Sequence, residues 1–122
     1  MFEQIKRRRL TTALLEEFEN RGFQITHLVG STKYEDPNWV QWGDSWAMPD
    51  IMANDRMKGL IIFGLVETED SWDSKGEDNN IEVLRTNAHL LYLMAPDAMI
   101  NSVRLRQRKK RWGNVRYISS GA

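Results

Sequence analysis

The chain has 122 residues, 41% of them hydrophobic and 28% charged, which is the size and balance of one folded domain and excludes both a disordered segment and a membrane-embedded one. Its 17 basic and 17 acidic residues cancel, so net charge points to no partner class. The absence of cysteine excludes a disulfide scaffold, a thiolate zinc site, an iron–sulfur cluster and a cysteine nucleophile. The start of the chain has basic residues but no uninterrupted apolar stretch of the kind a secretory signal carries. The longest apolar run, Leu60 to Val66, is far short of the ~20 residues of a membrane span. A cytoplasmic protein with no membrane association is the expectation.

Ile5, Leu10, Ala13, Leu14 and Phe18 recur at helical spacing with no Gly or Pro between them, and predict a helix from about Phe2 to Arg21, stopped by Gly22. Phe23 to Leu28 predicts a short strand. Residues 31–46 read as an inserted, Trp-rich excursion containing the turn chemistry of Asp36-Pro37-Asn38. Trp39, Trp42 and Trp46 are spaced to share one helical turn face. Packing inside the domain, a dimer interface and stacking on unpaired bases are all open to them. A strand from about Trp46 to Ala53, a polar turn at 54–59 and a strongly apolar strand from Leu60 to Glu69 follow, the last expected to be buried on both faces.

Asp70 to Asn80 reads as a polar loop, then a short helix to about Asn87, a strand from Ala88 to Ala95, and a second long helix from Pro96 to about Trp112, stopped by Gly113. Asn114 to Ser119 forms a last edge strand. This order predicts one α/β domain with a mixed sheet and helices on both sides.

The charges are sorted along the chain. From Val103 onward, Arg104, Arg106, Arg108, Lys109, Lys110, Arg111 and Arg116 stand with no acid among them, while 65–82 is acidic apart from Lys75. The basic run is either a solvated helix end whose cations complement the helix dipole, or a surface that neutralises phosphates. Among the acids, Asp50 follows Pro49 near one strand end, and Glu67 and Glu69 close the next, two residues apart and so expected on one face. If those strands pair as a hairpin, the three carboxylates crowd together, and a hard divalent cation, Mg²⁺ or Mn²⁺, relieves their repulsion. The plainer reading is a set of exposed acids at strand ends. Trp72, just past them, either covers such a site or caps the sheet edge. His27 and His89 read as ordinary strand residues, and Gly30-Ser31-Thr32-Lys33 lacks the glycine spacing of a phosphate loop.

The segments NRGF (20–23), HLVGSTK (27–33), MPD (48–50), LIIFGLVETE (60–69) and APDAMINSVRLRQRKKRWG (95–113) together resemble the PD-(D/E)XK nuclease superfamily, in its Holliday-junction-resolvase-like branch. The resemblance implies a restriction-endonuclease-like mixed sheet of about five strands flanked by helices on both faces. It also implies a homodimer that binds DNA and hydrolyses phosphodiester bonds with Mg²⁺ or Mn²⁺. By that resemblance Asp50 and Glu67 are metal-binding catalytic acids. Glu69 stands where the family has its lysine, and either binds the metal too or orients the water. Glu17 is a possible accessory acid from the first helix, and Lys33 a possible substitute for the lysine. Arg104, Arg108, Lys109 and Arg111 become nucleic-acid contacts. The missing lysine equally suits a catalytically inactive nuclease-fold protein that acts as a nucleic-acid-binding or assembly subunit. A protein-interaction domain unrelated to DNA is the third reading, resting on the zero net charge and the tryptophans.

Overall fold

A computed structural model describes residues 2–121. Helix α1 (Phe2–Asn20) ends where Gly22 takes a left-handed turn at φ 79°. Strand β1 (Gln24–Leu28) leads into the excursion, which contains a small separate hairpin, β2 (Val40–Trp42) and β3 (Ser45–Ala47). The chain then enters the main sheet with β4 (Ile51–Asp55) and β5 (Leu60–Val66), crosses over through α2 (Glu69–Trp72) and α3 (Glu77–Thr86), and returns as β6 (Leu90–Ala95). A single 3-10 turn at Asp97–Met99 opens α4 (Ile100–Lys110), and β7 (Val115–Ser119) closes the fold.

The main sheet runs in the order β1-β4-β5-β6-β7. Pairing is antiparallel from β1 to β5, and parallel from β5 to β7, where a helix must carry the chain back. The α/β class, the mixed five-stranded sheet and the edge position of β7 are as the sequence predicts.

The central strand is buried on both faces because its residues alternate between two cores. Ile62 and Val66 pack with Leu10, Leu14 and Phe18 of α1, while Phe63 and Leu65 pack with Trp72, Ile81, Leu84 and Val103 on the other side. Gly64 is the point of closest approach to α1. A Cβ there would lie 2.8 Å from Leu14 Cδ2 and 3.0 Å from Phe18 Cζ. Alanine in place of a strand glycine ordinarily helps by reducing the freedom of the unfolded chain, but here Leu14 and Phe18 are both fully buried and have nowhere to move. Gly64→Ala is therefore expected to destabilise by about 1–3 kcal/mol, read as a lower urea midpoint with an unchanged m-value.

Four local expectations are corrected. The strand expected from Trp46 to Ala53 is split, because the chain leaves the hairpin at Ala47 and joins the main sheet only at Ile51, with Pro49 unable to donate to a ladder in between. The three tryptophans do not share a helical face. Trp42 and Trp46 flank the turn at Gly43-Asp44, and their register (Trp42 opposite Ser45, Gln41 opposite Trp46) puts them on opposite faces of a hairpin. The loop expected at 70–80 holds α2 and the first turn of α3. Helix α4 ends at Lys110, two residues early, because Arg111 itself adopts φ 56°, while Gly113 does not turn left-handed.

Candidate functional site

The register of β4 and β5 sets Ile51 opposite Gly64, so the residue before β4 and the residues at the end of β5 meet at one edge of the hairpin. Asp50 is buried there, its backbone N–H donating to Gly64 O at 2.9 Å and its Oδ2 accepting from Val66 N at 2.8 Å. Glu67 follows immediately and is completely buried. These two sequence-predicted acids are thus positioned by a single antiparallel pair.

Glu69 is not with them. The expectation that it shares a strand face with Glu67 fails because β5 ends at Val66 and the chain turns into a helix. Thr68 caps that helix. Its hydroxyl accepts from Ser71 N at 3.2 Å, and the Ser71 hydroxyl accepts from Thr68 N at 2.9 Å, so both free amides at the helix start are satisfied reciprocally. Glu69, as the first residue of α2, is exposed and pairs with Lys6 at 3.5 Å.

Helix α1 locks onto this end of the sheet through one stripe. Glu3, Lys6 and Arg7 are three and four residues apart and face the same way. Glu3 accepts from the Thr68 hydroxyl, Lys6 meets Glu69, and Arg7 Nη2 donates to Asp50 Oδ2 at 3.3 Å. Arg7 is the cation of the cluster.

The acid that sequence reasoning missed is Glu77. It is buried at the first turn of α3, accepts from Asn80 Nδ2 at 3.1 Å, and is the neighbouring carboxyl that acts on Glu67. The available signal was Gly76 ahead of two acids and an apolar helical pattern at Ile81 and Leu84, which marks a helix start.

Electrostatically the cluster is strained towards protonation. Burial, reinforced by the neighbouring Glu77 carboxyl and opposed by the Ser71 hydroxyl and Arg7, pushes the Glu67 carboxyl up to about 10. Burial also raises Asp50, against the opposing Val66 N–H and Arg7. Glu67 Oε1 accepts from the Ser71 hydroxyl at 2.7 Å, but Oε2 is buried with no hydrogen-bond partner. An orphaned carboxylate oxygen beside a second carboxyl is satisfied by a proton held between them, or by a cation that replaces the proton.

Among the described residues no three acidic or histidine side chains form a ready metal cage. Mg²⁺ does not require one, since it is commonly held by one or two carboxylates with water and substrate phosphate completing the shell. The all-oxygen donors of Asp50 and Glu67, with Oε2 of Glu67 unclaimed, fit such an ion.

Two cavities flank Arg7. One, of about 700 Å³, lies between α1 and the turn after β1 and is lined by Arg7, Arg8, Thr12, Ser31 and Asp50 among others. The other, of about 300 Å³, is lined by Arg7, Ser71, Glu77, Asn80 and Trp39. The remaining sequence candidates lie elsewhere. Glu17 is on the α1 surface, paired with Arg21 at 3.2 Å and ~20 Å along the helix from Glu3. Lys33 is exposed, its ammonium 5.3 Å from the Tyr34 ring centre. Arg104, Arg108 and Arg111 line a groove of about 960 Å³ between α4 and β7, together with Arg116. Lys109 is exposed on the same helix but does not line that groove. Arg106 and Lys110 are turned to the other side, where both meet Asp78 of α3 at 3.4 and 3.2 Å.

No helix among the described residues is long and apolar enough to cross a membrane. No protein-family model, curated protein or solved structure matches the chain.

Proposed function

We propose that this chain is a nuclease-like domain of restriction-endonuclease-like architecture that binds nucleic acid and hydrolyses a phosphodiester bond with Mg²⁺ or Mn²⁺. The observation that carries this reading is the placement of two buried acids, Asp50 and Glu67 with its orphaned oxygen, at one end of an antiparallel pair, with Asp50 held by Arg7 and facing a cavity. The order of one helix, three antiparallel strands, a crossover helix and a parallel strand supports it.

In this reading Asp50 and Glu67 hold the metal. A divalent ion bound there would supply Lewis acidity to a water and positive charge to the phosphoryl oxygens. The chain's own contribution is positional. The Val66 N–H fixes Asp50, the Ser71 hydroxyl fixes Glu67, and Arg7 offers a planar, permanently charged donor to a phosphate oxygen arriving next to Asp50. Away from the centre, the arginine groove of α4 and β7 neutralises backbone phosphates.

A second reading, a catalytically inactive nuclease-fold binding subunit, is favoured by one specific contact. Arg7 already pairs with Asp50, which is the place of a cation, and Glu69 is turned away to Lys6.

Calorimetric titration with Mn²⁺ separates the two. The nuclease reading expects binding that is lost in both Asp50→Asn and Glu67→Gln, and cleavage of branched or linear DNA that is lost with it. Folded protein that takes up no metal at millimolar concentration but still binds DNA establishes the inactive subunit. In either case Arg104→Ala and Arg108→Ala are each expected to lower the slope of log K against log salt by about 1. A wild-type slope near zero overturns both readings.

A further inference from the structure

We infer that the two cavities flanking Arg7 form one track for a single, unpaired nucleic-acid strand, with a phosphate against Arg7 and Arg8 and the adjacent base stacked on Trp39. This rests on the nucleic-acid reading above and specifies the substrate class of the same site.

The track has a phosphate side and a base side. In the larger cavity Arg7 and Arg8 supply positive charge, Thr12 and Ser31 supply hydroxyls, and Asp50 is the only acid on the wall. That composition suits an anion with several acceptor oxygens. The smaller cavity is bordered by the same Arg7 and by the Trp39 indole, with Asn80, Ser71 and the Glu77 carboxyl as its polar edges. The guanidinium therefore belongs to both spaces, and a chain of alternating phosphates and bases passing Asp50 meets a cation and an aromatic ring in turn.

Trp39 is 63% exposed, so its ring is open to a partner on the side facing the cavity. It is also held in place. The hairpin that follows it is anchored by Asn87 Nδ2 donating to Gln41 O at 3.0 Å, and by Val40 and the buried Ala47, which pack onto the core beneath α3. A fixed indole beside a cation is a stacking platform, whose affinity is largely indifferent to which base it meets. A duplex keeps its bases paired and stacked inside, so it cannot present one to the ring without paying to extrude it. Trp46 projects from the opposite face of the hairpin to Val40 and Ala47 and is not part of this cavity, which makes it an internal control.

The test is fluorescence titration in EDTA of wild type, Trp39→Ala, Trp39→Phe, Trp46→Ala and Arg8→Ala, with a short oligothymidylate and with a duplex of equal length. Expected are tighter binding of the single strand with quenched tryptophan emission, a loss of roughly five- to a hundredfold for Trp39→Ala, recovery of most of it in Trp39→Phe, and no change for Trp46→Ala. Arg8→Ala is expected to lower the salt slope by about 1. Because Trp39 is exposed, unchanged thermal unfolding of its variants certifies their fold. Equal affinity for duplex and single strand with Trp39→Ala neutral overturns the track, even where metal-dependent cleavage of the wild type leaves the nuclease reading standing. A Trp39→Ala protein that sediments as a monomer where the wild type is a dimer assigns the face to a second copy and also overturns it. Absence of salt-dependent binding to any nucleic acid removes the parent reading as well.

Discussion

Replacing Trp72 by alanine is expected to cost about 3–5 kcal/mol, the range for emptying a buried aromatic site, and to lower the melting temperature by roughly 10–20 °C. Trp72 is only 2% exposed and ends α2, a helix of a single turn with little stability of its own. Its indole N–H donates to Ser102 Oγ at 3.0 Å, and the Arg106 guanidinium lies 4.0 Å above the ring while its Nη1 donates to Trp72 O at 2.8 Å. Arg106 also meets Asp78 of α3. One side chain thus joins α2, α3 and α4 over the same core. Trp72→Phe keeps most of the apolar contact and gives up the Ser102 hydrogen bond, for which about 1 kcal/mol is expected. Urea unfolding of the two variants separates packing from hydrogen bonding. A Trp72→Ala loss below that of Trp72→Phe contradicts the stapling role. Of the two sequence readings of this residue, a cover for the site or a cap on the sheet edge, neither describes a ring sunk between helices.

Glu67→Gln is expected to stabilise the protein at pH 8 by about 1–3 kcal/mol and to flatten its pH dependence. The sign follows from proton counts. Burial, aided by Glu77, raises Glu67 from its ordinary 4.5 to about 10, so between those values the folded chain holds a proton that the unfolded chain has lost. The stabilising effect of that proton is complete below the unfolded value and declines as pH rises, until it is exhausted above the folded one. An amide carries no charge at any of these pH values, and it keeps an acceptor for the Ser71 hydroxyl while presenting donors to Glu77. Chemical denaturation of wild type and variant at pH 6 and pH 8 checks this. A wild type that gains stability towards pH 8, or a variant with the same slope, refutes it. Because metal uptake must displace the proton, added Mn²⁺ should raise the wild-type melting temperature more at pH 8 than at pH 6 and leave Glu67→Gln unchanged.

The parts of this protein that were legible in its sequence are those in which local pattern and final packing agree. Leu10, Leu14 and Phe18 announce α1 by their spacing and form its buried face, and the apolar run of β5 is a strand between two cores. Asp50 and Glu67 were legible because each stands where an apolar segment begins or ends. Glu69 was misplaced because strand alternation was carried one step too far, past Val66 and across Thr68, although Thr68 with Ser71 three residues later already spelled a helix cap. Glu77 was hidden in a stretch so polar that its helical start was taken for loop. The tryptophan segment was misread for a different reason. Spacings of three and four fit a helical face, but Gly43-Asp44 between Trp42 and Ser45 is hairpin chemistry, and Gly43 does turn left-handed at φ 61°.

The register that sets Ile51 against Gly64 has a consequence for how this chain can vary through descent. A slip of one residue between β4 and β5 exchanges the two faces of a strand, turning Ile62 and Val66 away from α1 and carrying Phe63 under Leu14 and Phe18, where only a glycine fits. The same slip draws Glu67 away from Asp50. Core packing and the placement of the two acids at one end of the pair are therefore set by the same register, so a substitution that shifts one shifts the other. The turn at 56–59 lies at the far end of the hairpin, beyond the Asp55–Leu60 pair, and is free to diverge in sequence without touching either.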